Sequence, residues 1–190
     1  MTGLILLAAG ESKRFGSPKQ LLLYKGKTLL QQAIDTALSS GCEPILVVIG
    51  ANEPTIHAST NFNGTSVIEN EGWKEGMASS VRIGISALQS KPDINQAIIM
   101  LCDQPFVNSA LLKSLIDRKK ATQKKIITCF YNETLGPPAL FDQTVFNELL
   151  QLRGNEGAKK ILFHNKENID TVSFPMGAMD IDTPQDYNNL

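Results

Sequence analysis

The feature that most limits the fold is a set of short apolar runs with little or no polar alternation: Gly3 to Ala9, "PILVVIG" from Pro44, "AIIML" from Ala97 and "IITCFY" from Ile126. A strand with one face in water alternates polar and apolar residues. Runs of this kind therefore belong to strands covered on both faces, as in a parallel sheet sandwiched by helices. "SVIEN" from Ser66 and "DTVSF" from Asp170 repeat the pattern more weakly.

Helical periods fill the gaps. Thr28 and Gln31 have capping-box spacing, Leu29, Leu30, Ala33, Ile34, Ala37 and Leu38 follow a helical period, and Gly41 supplies a stop. A second helix is predicted from about Met77 to Leu88, and a third from Asn108 or Ser109 through Leu111, Leu112, Leu115 and Ile116. Alternating strands and helices in 190 residues, 42% of them hydrophobic, predict one α/β domain over residues 1–190. Its expected form is a three-layer sandwich around a mostly parallel, Rossmann-like sheet. "GPPALF" from Gly136 and "RGNEGAKKIL" from Arg153 break the rhythm and predict an irregular or antiparallel addition in the last third.

A net charge of −1 and a pI of about 6.1 provide no basic field for nucleic acid or an anionic membrane, so a small-molecule partner is expected. The first apolar run stops at Gly10 without a basic leader, which predicts a cytoplasmic protein. Cys42, Cys102 and Cys129 form no CxxC and imply neither a disulfide framework nor a zinc site.

The stretch "LLAAGESKRFGSPKQLL", Leu6 to Leu22, follows the first strand with a flexible, basic loop. In open α/β sheets ligands bind beyond the carboxyl ends of the strands, where this loop falls. It is neither a Walker A loop nor a GxGxxG turn: Gly10 and Gly16 have five residues between them, and no GK[ST] follows. What it offers is Arg14 and Lys19, two separate cations suited to a triphosphate, with Gly10 for close backbone approach and Pro18 to stiffen the segment delivering the lysine. The plainer reading is a solvated loop whose cations aid solubility.

"AIIMLCDQP" places Asp103 just past a buried strand, at the same sheet edge if the strands are parallel. A carboxylate facing a basic loop there suits magnesium, which takes one or two carboxylates plus phosphate oxygens. "MDIDTPQD" supplies Asp180 and Asp182, while Thr183 and Pro184 open a final short helix with Asp186 in its first turn. The alternatives are a turn cap for Asp103 and an ordinary strand-end acid for Asp182.

Taken together, six strings in order resemble the molybdenum cofactor nucleotidyltransferases, MobA-like NTP transferases, and most closely their cytidylyltransferase branch. They are "LAAGESKRFGSPKQLL", "NEGWKEGMASSVRIGI", "CDQP", "GPPALF", "GNEGAK" and "DIDTPQDY". The resemblance implies a nucleotide-diphospho-sugar transferase type of fold. It implies that backbone from Leu7 through Ala8 and Ala9 to Gly10 reads the base, that Arg14 and Lys19 hold phosphates, that Asp103 binds Mg2+, and that Asn70, Ser79 and Ser80 line the nucleotide site. "LAAG" where the guanylyl branch reads LAGG leans toward CTP. Asn155 departs from the family, which usually carries an acid at that place in "GNEGAK".

The expected reaction is transfer of a nucleotidyl group from an NTP to a phosphorylated acceptor such as molybdopterin, with Mg2+ held by Asp103 and by Asp180 or Asp182, of which the resemblance of the "DTP" step to the family's strand-end motif favours Asp182. Gly136, Pro137, Asn155 and Lys159 (or Lys160) are assigned to the acceptor side, and a molybdoenzyme or its chaperone is a candidate partner. His57 and His164 lie outside every motif, and Trp73 is read as packing. Competing expectations are a transferase for a sugar phosphate or other alcohol phosphate and a catalytically silent nucleotide-binding accessory protein. A nicotinamide-linked reductase would want GxGxxG and an acid after the second strand, where Glu53 has no glycine fingerprint to serve.

Overall fold

The computed structural model describes residues 1–189. Nine strands form in chain order: β1 (Thr2–Leu7), β2 (Leu23–Tyr24), β3 (Lys27–Thr28), β4 (Ile45–Ile49), β5 (Ser66–Glu69), β6 (Gln96–Leu101), β7 (Ile126–Tyr131), β8 (Thr134–Asp142) and β9 (Ile169–Ser173). Seven make one sheet in the order β5-β4-β1-β6-β8-β7-β9, and β2 pairs with β3 in a small hairpin. β1, β4, β5 and β6 run parallel, and β8 is antiparallel to both β6 and β7. The broken rhythm at "GPPALF" is thus a full antiparallel strand, which brings Gly136 and Pro137 back to the edge where the parallel strands end.

The helices are α1 (Leu29–Leu38), α2 (Glu53–Ser59), α3 (Met77–Gln89), α4 (Ser109–Thr122), α5 (Phe146–Leu149), α6 (Lys159–His164) and α7 (Pro184–Asn188). Strand pleating divides the core in two. Leu4, Leu6 and Ala8 face α1 and α4, joining Leu30, Ile34, Leu112 and Leu115, whereas Ile5, Leu7 and Ala9 face α3 and α5, joining Val81, Ile85 and Phe146. This is the three-layer sandwich the apolar runs require.

Caps decide where helices begin. Thr28 accepts from the Gln31 amide at 3.1 Å, but the Gln31 side chain reaches Asp35 and Asn61, so only half of the expected box forms. Asn108 caps α4, and at α7 Thr183 and Asp186 form a complete box. The basic end of α4 is paired as well as solvated: Lys119 meets Asp142 at 2.9 Å and Arg118 meets Asp170 at 2.8 Å.

Candidate active site

The strand order reverses between β1 and β6, because the chain runs from β1 out to β4 and β5 and then returns to the other side of β1. Such a switch point opens a crevice beyond the carboxyl ends of the strands. The loop after β1 carries Arg14 and Lys19, and the turn after β6 carries Asp103.

Two cavities occupy this edge. One, of about 830 Å³, is lined by Leu7 to Arg14, Lys19, Ser80 and Asp103, with Trp73 and Lys74 on its far wall. The second, of about 490 Å³, lies under the start of β8 and is lined by Gly136, Pro137, Tyr131, Lys159 and Asp180 over an apolar floor. Leu7, Met77, Leu101 and Asn155 line both. An added Cβ at Gly10 would meet nothing within 4 Å, so the backbone there lies open to a ligand.

The charges converge closely. The Lys19 Nζ donates to Asp103 Oδ2 and, at 2.9 Å, to Asp182 Oδ1, while Arg14 Nη2 donates to Asp182 Oδ2 at 2.7 Å. Burial works against the Lys19 charge, but the charge and hydrogen bond of Asp103 outweigh it and raise the ammonium pKa. Burial likewise pushes the Asp182 carboxyl up, and Lys19 and Arg14 more than reverse it. Asp180 is pushed up to about 6, first by burial and then by the negative charge of Asp103. Beside it, burial and Asp180 push the Tyr131 hydroxyl up to about 12.

The residues fit a hard divalent cation. Asp103 Oδ1 is buried without a hydrogen-bond partner among the described residues, an expensive state for a carboxylate oxygen and a natural ligand position. Asp103 and Asp182 already share one positive centre, the Lys19 ammonium.

Other expected site residues take less direct places. The buried Asn70 donates to Ser79 Oγ at 2.8 Å and to Ser80 Oγ at 2.9 Å, bracing α3 against the end of β5. Ser80 reaches the cavity, whereas Asn70 and Ser79 stand behind its wall. Asn155 sits at the junction of the two cavities, held there because Gly154 and Asn155 pack onto Gly76, whose φ of +122° leaves no room for a side chain. Lys159 donates to Thr134 Oγ1 at 2.8 Å, and both line the smaller cavity. His57 pairs with Glu53 and Glu69 on α2 and β5, and His164 bonds the Lys160 carbonyl; neither lines the cavities.

Four residues outside the expected set also shape the site: Gln20, Trp73, Met77 and Tyr131. Trp73 packs against the core, and it also lines the larger cavity, with the Lys74 ammonium 5.5 Å from its ring centre. Gln20 carried a signal, being an uncharged polar residue between Lys19 and the apolar run Leu21 to Leu23. Tyr131 carried none, because an aromatic at a strand end is ordinary core material.

Comparison with known proteins places this geometry. The MobA-like NTP transferase domain model matches residues 4–169. The purine catabolism protein PucB of Bacillus subtilis is 30% identical over 198 residues, covering 97% of this chain and 93% of PucB. Nicotine blue oxidoreductase of Paenarthrobacter nicotinovorans is 40% identical over 113 residues, 59% of this chain and only 54% of that protein. Among solved structures, Rv0371c of Mycobacterium tuberculosis superposes with a TM-score of 0.88 at 32% identity, covering 99% of this chain and 95% of that one. A second Rv0371c structure is a complex with manganese.

Proposed function

Because the chain belongs to the MobA-like NTP transferase family, we propose that it moves CMP from CTP onto a phosphomonoester acceptor with a planar ring body, molybdopterin being the favoured example. The observation that carries this reading is the pair of cavities meeting at Leu7, Met77, Leu101 and Asn155, with Lys19 and Asp103 in the wall of the larger. The larger takes the NTP and the smaller the acceptor. Val81, Ile99, Leu135, Phe141 and Leu162 in the smaller wall favour a ring over a sugar, whose hydroxyls would need many more partners.

An acceptor phosphate oxygen attacks the α-phosphorus of the NTP. A new P–O bond forms as the bond to the bridging oxygen breaks, and pyrophosphate leaves with the electron pair. A phosphomonoester is largely ionised near neutral pH, so no side chain need remove a proton. Positioning and charge neutralisation then supply the rate. Lys19 stands nearest the attacked phosphate, Arg14 holds the departing pyrophosphate, and Asp103 with Asp182 holds Mg2+. When bound, the metal supplies Lewis-acid stabilisation of the phosphate oxygens. The manganese complex of Rv0371c supports the choice of a divalent ion.

The test is calorimetric titration with CTP, GTP, ATP and UTP, with and without magnesium, on the parent and on Asp103→Asn. Magnesium-dependent binding led by CTP and weakened by the substitution is expected. Preference for another nucleotide overturns the cytidylyl assignment, and no binding at all overturns the site. A second reading, reduction of a planar heteroaromatic, is favoured by the oxidoreductase relative. It requires nicotinamide dinucleotide binding in the same titration and no pyrophosphate release with any acceptor.

A further inference from the structure

Gln20 directly follows Lys19, is 1% exposed, and is flanked by apolar Leu21 and Leu22. Its Nε2 donates twice, to Ala8 O and to Gly10 O, each at 2.8 Å. Its Oε1 accepts from the Ser12 hydroxyl at 3.3 Å, and Ser12 Oγ in turn accepts from the Lys19 amide at 3.1 Å. Ser12 has a φ of +58°, a conformation that a serine keeps only when its surroundings fix it.

These bonds give the loop a polarity. Leu7 O accepts from the Cys102 amide, Ala9 O from Ala51, and Ser12 O from Phe15 and Gly16. With Ala8 O and Gly10 O tied to Gln20, the carbonyls of Leu7, Ala8, Ala9, Gly10 and Ser12 are turned into protein, whereas those of Glu11, Lys13 and Arg14 have no protein donor among the described residues. Among the described residues, the N–H groups of Ala9, Gly10, Glu11, Ser12, Lys13 and Arg14 have no protein acceptor. All six residues line the larger cavity. A run of free N–H groups binds anions; an uncovered carbonyl among them repels one.

We propose that Gln20 is a positioning residue for the nucleotide: by tying back the carbonyls of Ala8 and Gly10, it takes those two acceptors out of the path of a polyphosphate that meets the loop's free N–H groups. This rests on reading the larger cavity as the nucleotide site. Gln20 touches no phosphate itself. It sets which atoms of the loop do, and through Ser12 it fixes the backbone from which Lys19 projects.

Magnesium pyrophosphate and magnesium CTP are titrated into the parent, Gln20→Glu and Gln20→Met. Gln20→Glu keeps the length and the acceptor for Ser12 but offers no N–H; Gln20→Met removes both functions. Each is expected to lose about tenfold to a hundredfold in affinity for both ligands. In 1H–15N spectra of the parent, pyrophosphate shifts the amides of residues 9 to 14. In the variants these shifts are lost while β7 and β8 signals stay at parent positions, which loss of fold would not allow. A parent that binds neither ligand overturns the nucleotide reading and this proposal with it. Binding to the parent that leaves amides 9 to 14 unmoved, or equal affinity in folded variants, overturns only the role of Gln20.

Discussion

Replacing Lys19 with methionine separates two jobs that the structure gives one side chain. The ammonium neutralises Asp103 and Asp182, with side-chain exposures of 15% for Lys19, 14% for Asp103 and 37% for Asp182. Breaking a buried pair costs about 3–5 kcal/mol. The exposure of Asp182 and its remaining bond to Arg14 reduce this to about 2–3 kcal/mol. At about 2–4 °C per kcal/mol for a chain of this size, Tm falls by about 4–12 °C. The same change frees Asp103 for a metal and leaves Asp182 with Arg14 alone. A hydrogen bond to a charged group is worth about 1.5–3 kcal/mol, so without that competitor the variant binds Mn2+ or Mg2+ about tenfold to a hundredfold more tightly than the parent. Calorimetric Mn2+ titration reads the affinity, and thermal melts with and without MgCl2 read the rescue, which is larger in the variant. Turnover is lost although metal binding improves. Metal affinity equal to or below the parent's would refute the reasoning, because Lys19 would then not be competing for those carboxylates.

Two further outcomes follow from the lining of the smaller cavity. Asp180 holds its proton more tightly folded than unfolded, with a folded pKa of about 6 against an ordinary 3.8. Its contribution to stability is therefore complete below about pH 4 and is lost as pH rises toward 6. Asp180→Asn should gain stability relative to the parent across that window, and a Tm difference independent of pH would sink the assignment. An added Cβ at Gly136 would collide with the Tyr131 hydroxyl, so Gly136→Ala should cost about 1–3 kcal/mol by overpacking. In a Tyr131→Ala background that penalty should vanish; the same penalty in both backgrounds would show that the clash is not its cause.

Much of the fold was legible because burial on both faces leaves an unambiguous mark. The runs at Gly3, Pro44, Ala97 and Ile126 correspond to β1, β4, β6 and β7, and the helices read from Leu29, Met77 and Asn108 form at those places. What the pattern left open was direction. "GPPALF" opens with a glycine and two prolines, which weaken any strand reading, yet it belongs to a nine-residue antiparallel strand between β6 and β7. Its apolar residues are buried by both neighbours, a tertiary effect no local window contains. α2, α5 and α6, of seven, four and six residues, are too short for their periods to stand out.

The site was legible as a list of charges and not as a circuit. Arg14, Lys19, Asp103 and Asp182 are all visible in the sequence, with the cations read as facing phosphates and the acids as facing a metal. In the structure they face one another, Lys19 bonding Asp103 and Asp182 and Arg14 bonding Asp182. That arrangement makes metal and nucleotide mutually dependent. A divalent ion must displace Lys19 from Asp103 and Asp182, and a triphosphate must draw Lys19 and Arg14 off the same carboxylates, so either ligand releases the groups the other needs. Linkage requires the effect to be reciprocal, so magnesium should tighten CTP binding by the same factor as CTP tightens magnesium binding. Direct coordination of the metal by the nucleotide contributes to that factor in any such enzyme. The part due to Lys19 is the part that disappears in Lys19→Met, in which Asp103 is already free and Asp182 keeps only Arg14 before nucleotide arrives.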